Sequence, residues 1–143
     1  MHDFSIQPAN WKNDQSKLKA IRHAVFIIEQ TIPKELEWDR QDIDALHLLA
    51  INNDAEPIGT VRLLRTGQIG RMAVLKKYRG KGIGKLLMEA VLKLARQNRI
   101  SSVFLHAQSS AITFYGAFDF IVTSKEYEEA GIPHVNMKKI LIN

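Results

Sequence analysis

The feature that most constrains the fold is the stretch KKYRGKGIGKLLMEAVLKLAR, residues 76–96, in which three glycines run into an amphipathic segment. Ile83, Leu86, Leu87, Ala90, Val91 and Leu94 recur at i, i+3, i+4, i+7, i+8 and i+11, the spacing of one helical face, while Lys85, Glu89 and Lys93 form a polar ladder on another. Such a helix buries one face on a sheet. The runs on either side, QIGRMAVL and ISSVFLHAQ, are apolar enough for central strands, so a strand–helix–strand crossover is predicted from Met72 to His106.

The rest of the chain supplies further strands. DFSIQ alternates as a short strand, and Leu18, Ile21, Val25 and Ile28 predict a helix over Ser16–Glu29 that cannot pass Pro33. The acidic segment KELEWDRQDIDA reads as a loop or short helix. LHLLAIN and PIGTVRLLR read as a hairpin joined across NDAE, SAITFYGAF as a second helix, and FIVTSKEY with HVNMKKIL as the close of the sheet. The predicted class is α+β: a mixed, mostly antiparallel twisted sheet with helices on both faces. At 143 residues, 45% of them hydrophobic, with no repeat or linker, the expectation is one domain over residues 1–143.

Composition excludes several chemistries. The chain has no cysteine, which rules out disulfides, thiolate metal sites and a cysteine nucleophile. Its five histidines lack metal-binding spacing, so no metal is expected. There is no leader-like start and no long apolar run, which predicts a cytoplasmic protein with no membrane partner. The net charge of +5 is unevenly spread: residues 62–99 hold eleven Lys and Arg against Glu89 alone. Residues 29–44 hold six carboxylates against Lys34 and Arg40. A basic zone suits nucleic acid, an anionic membrane or a phosphorylated small molecule. Nucleic acid is not expected, because Tyr78 is the one aromatic residue in that zone.

Gly80, Gly82 and Gly84 fall between a strand end and a helix start, where unpaired N–H groups and the positive end of the helix dipole favour an anion. Arg79, Lys81 and Lys85 add charge there. A Walker A loop is excluded because Leu86, not Ser or Thr, follows Gly84-Lys85. A dinucleotide fingerprint is excluded by the G-x-G-x-G spacing and the lack of a following acid.

RGKGIG, Arg79 to Gly84, resembles the Arg/Gln-x-x-Gly-x-Gly/Ala motif of the GCN5-related N-acetyltransferases (GNAT), and FLHAQSSAITFYGAFDF resembles that family's next strand and helix. EQTIPKELEWDRQDIDALHLLA and EEAGIPHVNMKK are similar to its small bacterial ElaA- and YjcF-like branch. One departure is visible: Asp119 stands where the family's turn before Phe120 has glycine.

The resemblance implies an acetyl-coenzyme A-dependent N-acetyltransferase acting by direct transfer on a primary amine of a small molecule or peptide. A degenerate acetyl-coenzyme A sensor is the alternative. It implies that Met72, Ala73 and Val74 line the pantetheine arm and that Arg79, Gly80, Lys81, Gly82, Ile83, Gly84 and Lys85 hold the diphosphate. It further implies that Val74 offers an oxyanion N–H and that Tyr115 protonates the departing thiolate. For the base, Glu29, His47, His106 and His134 are candidates by chemistry, with Glu29 and His134 preferred at the acceptor site. Glu35, Glu37 and Asp39 are expected to help select a cationic acceptor, and pairing of two copies through the C-terminal strands is an open expectation.

Overall fold

The computed structural model describes residues 3–141, and the side chain of Glu35 lies outside the described residues. Strands β1 (Phe4–Ala9), β2 (Leu46–Asn52), β3 (Pro57–Leu63) and β4 (Ile69–Val74) form an antiparallel meander in that order. β5 (Ser102–Gln108) pairs antiparallel with β8 (Ile132–Ile140), and β8 also carries β6 (Ile121–Val122) and β7 (Tyr127–Glu129). The two halves meet at an isolated parallel bridge between Gln68 and Phe104, where the Phe104 N–H donates to the Gly67 carbonyl at 3.1 Å. Beyond that bridge β4 and β5 belong to separate sheets. The mostly antiparallel sheet expected from the sequence is therefore present, but parted at its centre.

Helices cover both faces. On one side lies α3 (Ile83–Gln97), which buries Ile83, Leu87, Met88, Val91, Leu92 and Ala95 against Leu48, Ala50, Ile58, Val61, Leu105 and Met137, a core shared by both halves. Each fully buried aliphatic side chain contributes roughly 1.5–3 kcal/mol. The expected stripe is rotated: Leu86, Ala90 and Leu94 sit at its half-buried edge, while Met88, Leu92 and Ala95 are fully buried. The helix lies across all four strands of the first sheet, β1 to β4, so its contact face is wider than a narrow stripe.

On the other side, α1 (Trp11–Arg22) packs Leu18 and Ile21 toward Leu49 and Ala73. It begins before the expected Ser16 because the Asn10 side chain accepts from the N–H groups of Lys12 and Asn13 at 2.8 and 3.3 Å. Asp14 answers by accepting from the Asn10 N–H at 2.9 Å. Residues His23–Glu29 then widen into π-helical turns, and a single-turn helix, α2 (Lys34–Glu37), follows. The extra residue per turn shifts the register, so Val25 and Phe26 are buried while Ile28, expected on the apolar face, is 64% exposed.

Three local features shape the centre of the molecule. Between Thr60–Ala73 and Arg62–Gly70 the β3–β4 register takes one more residue on β4, a bulge with Arg71 at φ 50°. The expected last-but-one strand is broken into β6 and β7, because Asn136 gives its N–H to Ser124 Oγ at 2.8 Å instead of to a strand carbonyl. Helix α4 (Ile112–Gly116) ends in a turn where Asp119 has φ 70°. Aspartate tolerates that left-handed conformation better than most residues, so it occupies a glycine-type backbone position there.

Candidate active site

The gap between β4 and β5 opens into a cleft of about 900 Å³. Its walls include the β4 bulge, the glycine loop, α4 and the ends of β5 and β7. The strand direction settles what β4 offers it. The Leu75 N–H donates to the Ile58 carbonyl of β3 at 2.9 Å, so by alternation the Ala73 peptide also faces β3 and the N–H groups of Met72 and Val74 face the gap. Met72, Ala73 and Val74 all line the cleft, and Ala73 also belongs to the α1 core.

The glycine loop closes one end. Gly80 and Gly82 have φ 77° and 85°, and a Cβ built on either would meet no atom within 4 Å. Their requirement is conformational, and the space beside them is open for a ligand. Gly84 differs: its face rests on the Phe114 ring, 3.7 Å from where a Cβ would lie. Gly82 is the N-cap of α3, whose first-turn N–H groups, beginning with that of buried Ile83, aim outward. Lys85 lines the cleft, whereas Lys81 reaches over the Tyr78 ring at 5.6 Å.

Arg79 and Glu29 are joined to each other. Arg79 donates to both Glu29 oxygens at 2.6 and 2.7 Å and, through Nε, to the Val74 carbonyl at 2.9 Å. The hydrogen bond from Arg79 holds the Glu29 carboxyl below its usual range. Glu29, a sequence candidate for the acceptor site, is thus tied to the loop beside the cleft rather than lining it.

Tyr115 lines the cleft, with its ring edge-on to Phe114 and Phe120. Burial pushes its phenol up to about 12, so the hydroxyl keeps its proton at neutral pH. His134 and His106 also line the cleft. His47 does not share it: that ring is buried under Trp11, its Nε2 donates to the Asp42 carbonyl at 2.9 Å, and burial pushes its pKa down.

An ionic network, not legible in the sequence, forms the wall behind the bulge. Arg22, 1% exposed, is stacked between Trp11 and Trp38 and donates to Glu37 and to Asp42 at 2.7 Å. Arg62 holds Asp39 with two bonds of 2.8 and 2.9 Å and reaches Asp42 at 3.2 Å. Arg71 donates to the carbonyls of Leu36 and Glu37 and to Asp39 at 2.9 Å, while its Nε lies 3.0 Å from Glu37 but off the hydrogen-bond direction. A left-handed non-glycine residue costs about 1–2 kcal/mol, and these charge-assisted bonds offset that cost at Arg71. Glu37 and Asp39, two acids read from sequence as selecting the acceptor, are thereby neutralised by arginines. Burial pushes the Glu37 carboxyl up. Burial also pulls on Asp39, but the Arg62 hydrogen bond, the Gln41 N–H and the neighbouring guanidiniums outweigh it and hold Asp39 at about 2.

Comparisons with known proteins agree with this geometry. Residues 12–141 match the model of the acetyltransferase (GNAT) domain. The chain is 33% identical to the uncharacterized N-acetyltransferase YjcF of Bacillus subtilis, over 90% of this chain and 95% of the relative. It is 34% identical to protein ElaA of Escherichia coli over 87% and 86% of the two chains, and the ElaA crystal structure superposes with a TM-score of 0.85 over 94% and 99%. An acyl-CoA N-acyltransferase from Pseudomonas aeruginosa superposes with a TM-score of 0.86 at 29% identity, covering 95% of this chain and 99% of that one. The overall fold is thus shared with solved acyltransferases, and the chain belongs to the GNAT acetyltransferase family.

Proposed function

We propose that the protein moves the acetyl group of acetyl-coenzyme A directly to a primary amine of a small molecule or peptide, with both substrates bound together. The observation that carries this reading is the cleft itself, which runs from open left-handed glycines at a helix N-terminus, past outward-facing strand N–H groups, to a protonated phenol. The open space beside Gly80 and Gly82 fits a diphosphate, and Lys85 and the exposed Lys81 add charge around it. The Met72 and Val74 peptides face the pantetheine arm.

When bound, acetyl-coenzyme A supplies an activated thioester. Val74 N–H stabilises charge that develops on the acyl oxygen, and Tyr115 gives its proton to the departing sulfur. A phenol at about 12 is a weak acid toward a thiol of ordinary pKa ~8.5, so the gain is expected near the lower end of the 10²–10⁴-fold typical of general acids. Arg79 orders the loop through Glu29 and the Val74 carbonyl, and meets the diphosphate with its side chain only by exchanging that carboxylate for phosphate.

Calorimetric binding of acetyl-coenzyme A, followed by thiol release with a panel of amines, tests the reading. Tyr115→Phe is expected to lower kcat about 100-fold with little change in donor affinity. Turnover within about twofold of the parent, where chemistry limits the rate, removes Tyr115 from the role of acid.

A further inference from the structure

Holding the donor and protonating its sulfur leave one group of cleft side chains unused: His106, Glu129 and His134. They share a face. Along β5, Val103, Leu105 and Ala107 are buried in the α3 core, so His106 and Gln108 fall on the opposite face by strand alternation. The register sets His134 opposite Gln108 and Tyr127 opposite His134, and Glu129, two residues beyond Tyr127, returns to the same face. The Glu129 carboxylate bridges the two imidazoles: Oε1 accepts from His106 Nδ1 at 2.9 Å, and Oε2 lies 3.7 Å from His134 Nε2.

His134 is 7% exposed, and its Nδ1 lies 2.7 Å from the Ile132 carbonyl. A carbonyl only accepts, so Nδ1 carries a proton, and whenever the ring is neutral its lone pair lies on Nε2. The groups facing the ring are Tyr127, stacked at 6.2 Å, and Glu129 with its partner His106. In that form Nε2 is a basic nitrogen aimed at a carboxylate oxygen 3.7 Å away, beyond hydrogen-bond distance. A nitrogen donor about 2.8–2.9 Å from both atoms closes that gap. Charge points the same way. Of the described acids lining the cleft, Glu37 and Asp39 are taken by arginines, and Glu129 faces imidazoles alone. Its position is fixed by a two-residue turn, Ala130 and Gly131, both at positive φ.

We infer that Glu129 and His134 form the acceptor subsite, and that the acceptor is an alkylamine that arrives as its ammonium ion. This deepens the acetyltransferase reading and rests on it. Glu129 binds the ammonium, and His134 Nε2 takes one of its protons, leaving a neutral amine whose lone pair forms the C–N bond as the C–S bond breaks. The sulfur takes its proton from Tyr115, the nitrogen's second proton restores the Tyr115 phenol through solvent, and the proton on His134 is released. One proton leaves per turnover, which balances ammonium and thioester against amide, thiol and H⁺.

The test uses the intact protein with n-hexylamine and 1,5-diaminopentane as ammonium probes and aniline as a probe that is neutral at pH 7. Glu129→Gln, at a half-exposed position, is expected to raise KM for the alkylamines about tenfold or more, to change that for aniline less than about twofold, and to leave acetyl-coenzyme A affinity unaltered. His134→Gln is expected to lower kcat about 100-fold and to remove the histidine limb from the pH profile of kcat/KM. Without donor, titration with hexylamine is expected to shift the ¹⁵N resonance of His134 Nε2. Equal effects of Glu129→Gln on both amine classes, a preference for aniline, or an unmoved Nε2 resonance overturns the inference. Donor binding with no turnover of any alkylamine overturns it alone, whereas failure to bind acetyl-coenzyme A overturns the acetyltransferase reading and this subsite together.

Discussion

Two groups of cations in this chain look alike in the sequence and behave oppositely in the structure. Arg22, Arg62 and Arg71 are enclosed with Glu37, Asp39 and Asp42 behind the β4 bulge, each guanidinium paired with carboxylate oxygens. Lys76, Lys77, Lys81 and Lys85 ring the glycine loop with their ammonium groups in solvent. The first group spends its charge on the protein's own acids and shapes the wall of the cleft. The second leaves its charge for a ligand. A count of basic residues over 62–99 merges the two, because Arg62 and Arg71 fall in the same stretch as the lysines.

The largest effect is expected from breaking the enclosed group. Arg22→Met keeps much of the side-chain volume between Trp11 and Trp38 but leaves Glu37 and Asp42 short of a partner. Losing one side of a buried ion pair costs about 3–5 kcal/mol, because a charge stays buried without compensation. The melting temperature should fall by roughly 10 °C, read by calorimetry. A loss below about 1 kcal/mol would show the network to be replaceable by packing.

The corresponding break at the ligand end is Gly82→Asp. The new Cβ meets no protein atom, so the substitution acts through the left-handed backbone, at a stability cost of about 1 kcal/mol, and through a carboxylate set where a diphosphate belongs. Acetyl-coenzyme A affinity should fall about tenfold or more in calorimetry, with the circular dichroism spectrum retained. Unchanged affinity would move the diphosphate away from this loop.

Much of this division was hidden in the sequence for identifiable reasons. The glycine loop and α3 were legible because glycine spacing and helical periodicity are local signals, and the residues 79–84 and 83–94 carry both. Tyr115 was placed in this cleft through motif position, and His134 through its chemistry. The network was not legible: Arg22, Glu37, Asp39, Asp42, Arg62 and Arg71 are brought together from four elements, and nothing local distinguishes a buried arginine from a solvated one. The bulge was marked by Gly70 inside the strand pattern, but its left-handed residue is the following Arg71, which nothing local singles out. The start of α1 at Trp11 had a signal, Asn10 followed by Asp14, that apolar periodicity alone overlooked. Glu129 was overlooked because its function depends on a strand register that places it between two histidines.

Acid sharpens the comparison, since carboxylates titrate in the enclosed group while lysines do not. Asp39 stands at about 2 when folded against an ordinary 3.8, so its folded-state pKa is depressed. Its contribution is complete above about pH 4 and is lost as pH falls toward 2, roughly 1 kcal/mol once solvent screening at this partly exposed carboxyl is allowed for. Glu37 works in the opposite sense, because a raised pKa makes the folded state bind its proton first. Urea unfolding between pH 6 and 2.5 should therefore show Asp39→Asn flattening the loss below pH 4 and Glu37→Gln leaving that part of the curve in place.

The smallest effect should come from the exposed group, and it should differ in kind. Lys81→Gln removes one ammonium that reaches over the Tyr78 ring into solvent, and among the described residues no carboxylate pairs with it. Surface charges act through a screened field, so the expected change is a rise of about two- to threefold in the Kd for acetyl-coenzyme A at low salt. Lys77→Gln, whose ammonium shares the Tyr78 ring at 5.4 Å, should behave alike. The two changes should nearly multiply, because each charge acts on the ligand more than on the other. At about 1 M salt the Debye length falls to roughly 3 Å, and the difference between parent and variants should vanish. Neither variant should move the melting temperature measurably, since no buried group loses a partner. Arg22→Met must show the reverse pattern, a stability loss that salt does not restore, because the enclosed carboxylates lie beyond the reach of counterions. If Lys81→Gln lowered stability, or if its effect on donor binding persisted at high salt, that lysine would have to be counted among the structural cations, and the division drawn between the two groups would fail at its simplest point.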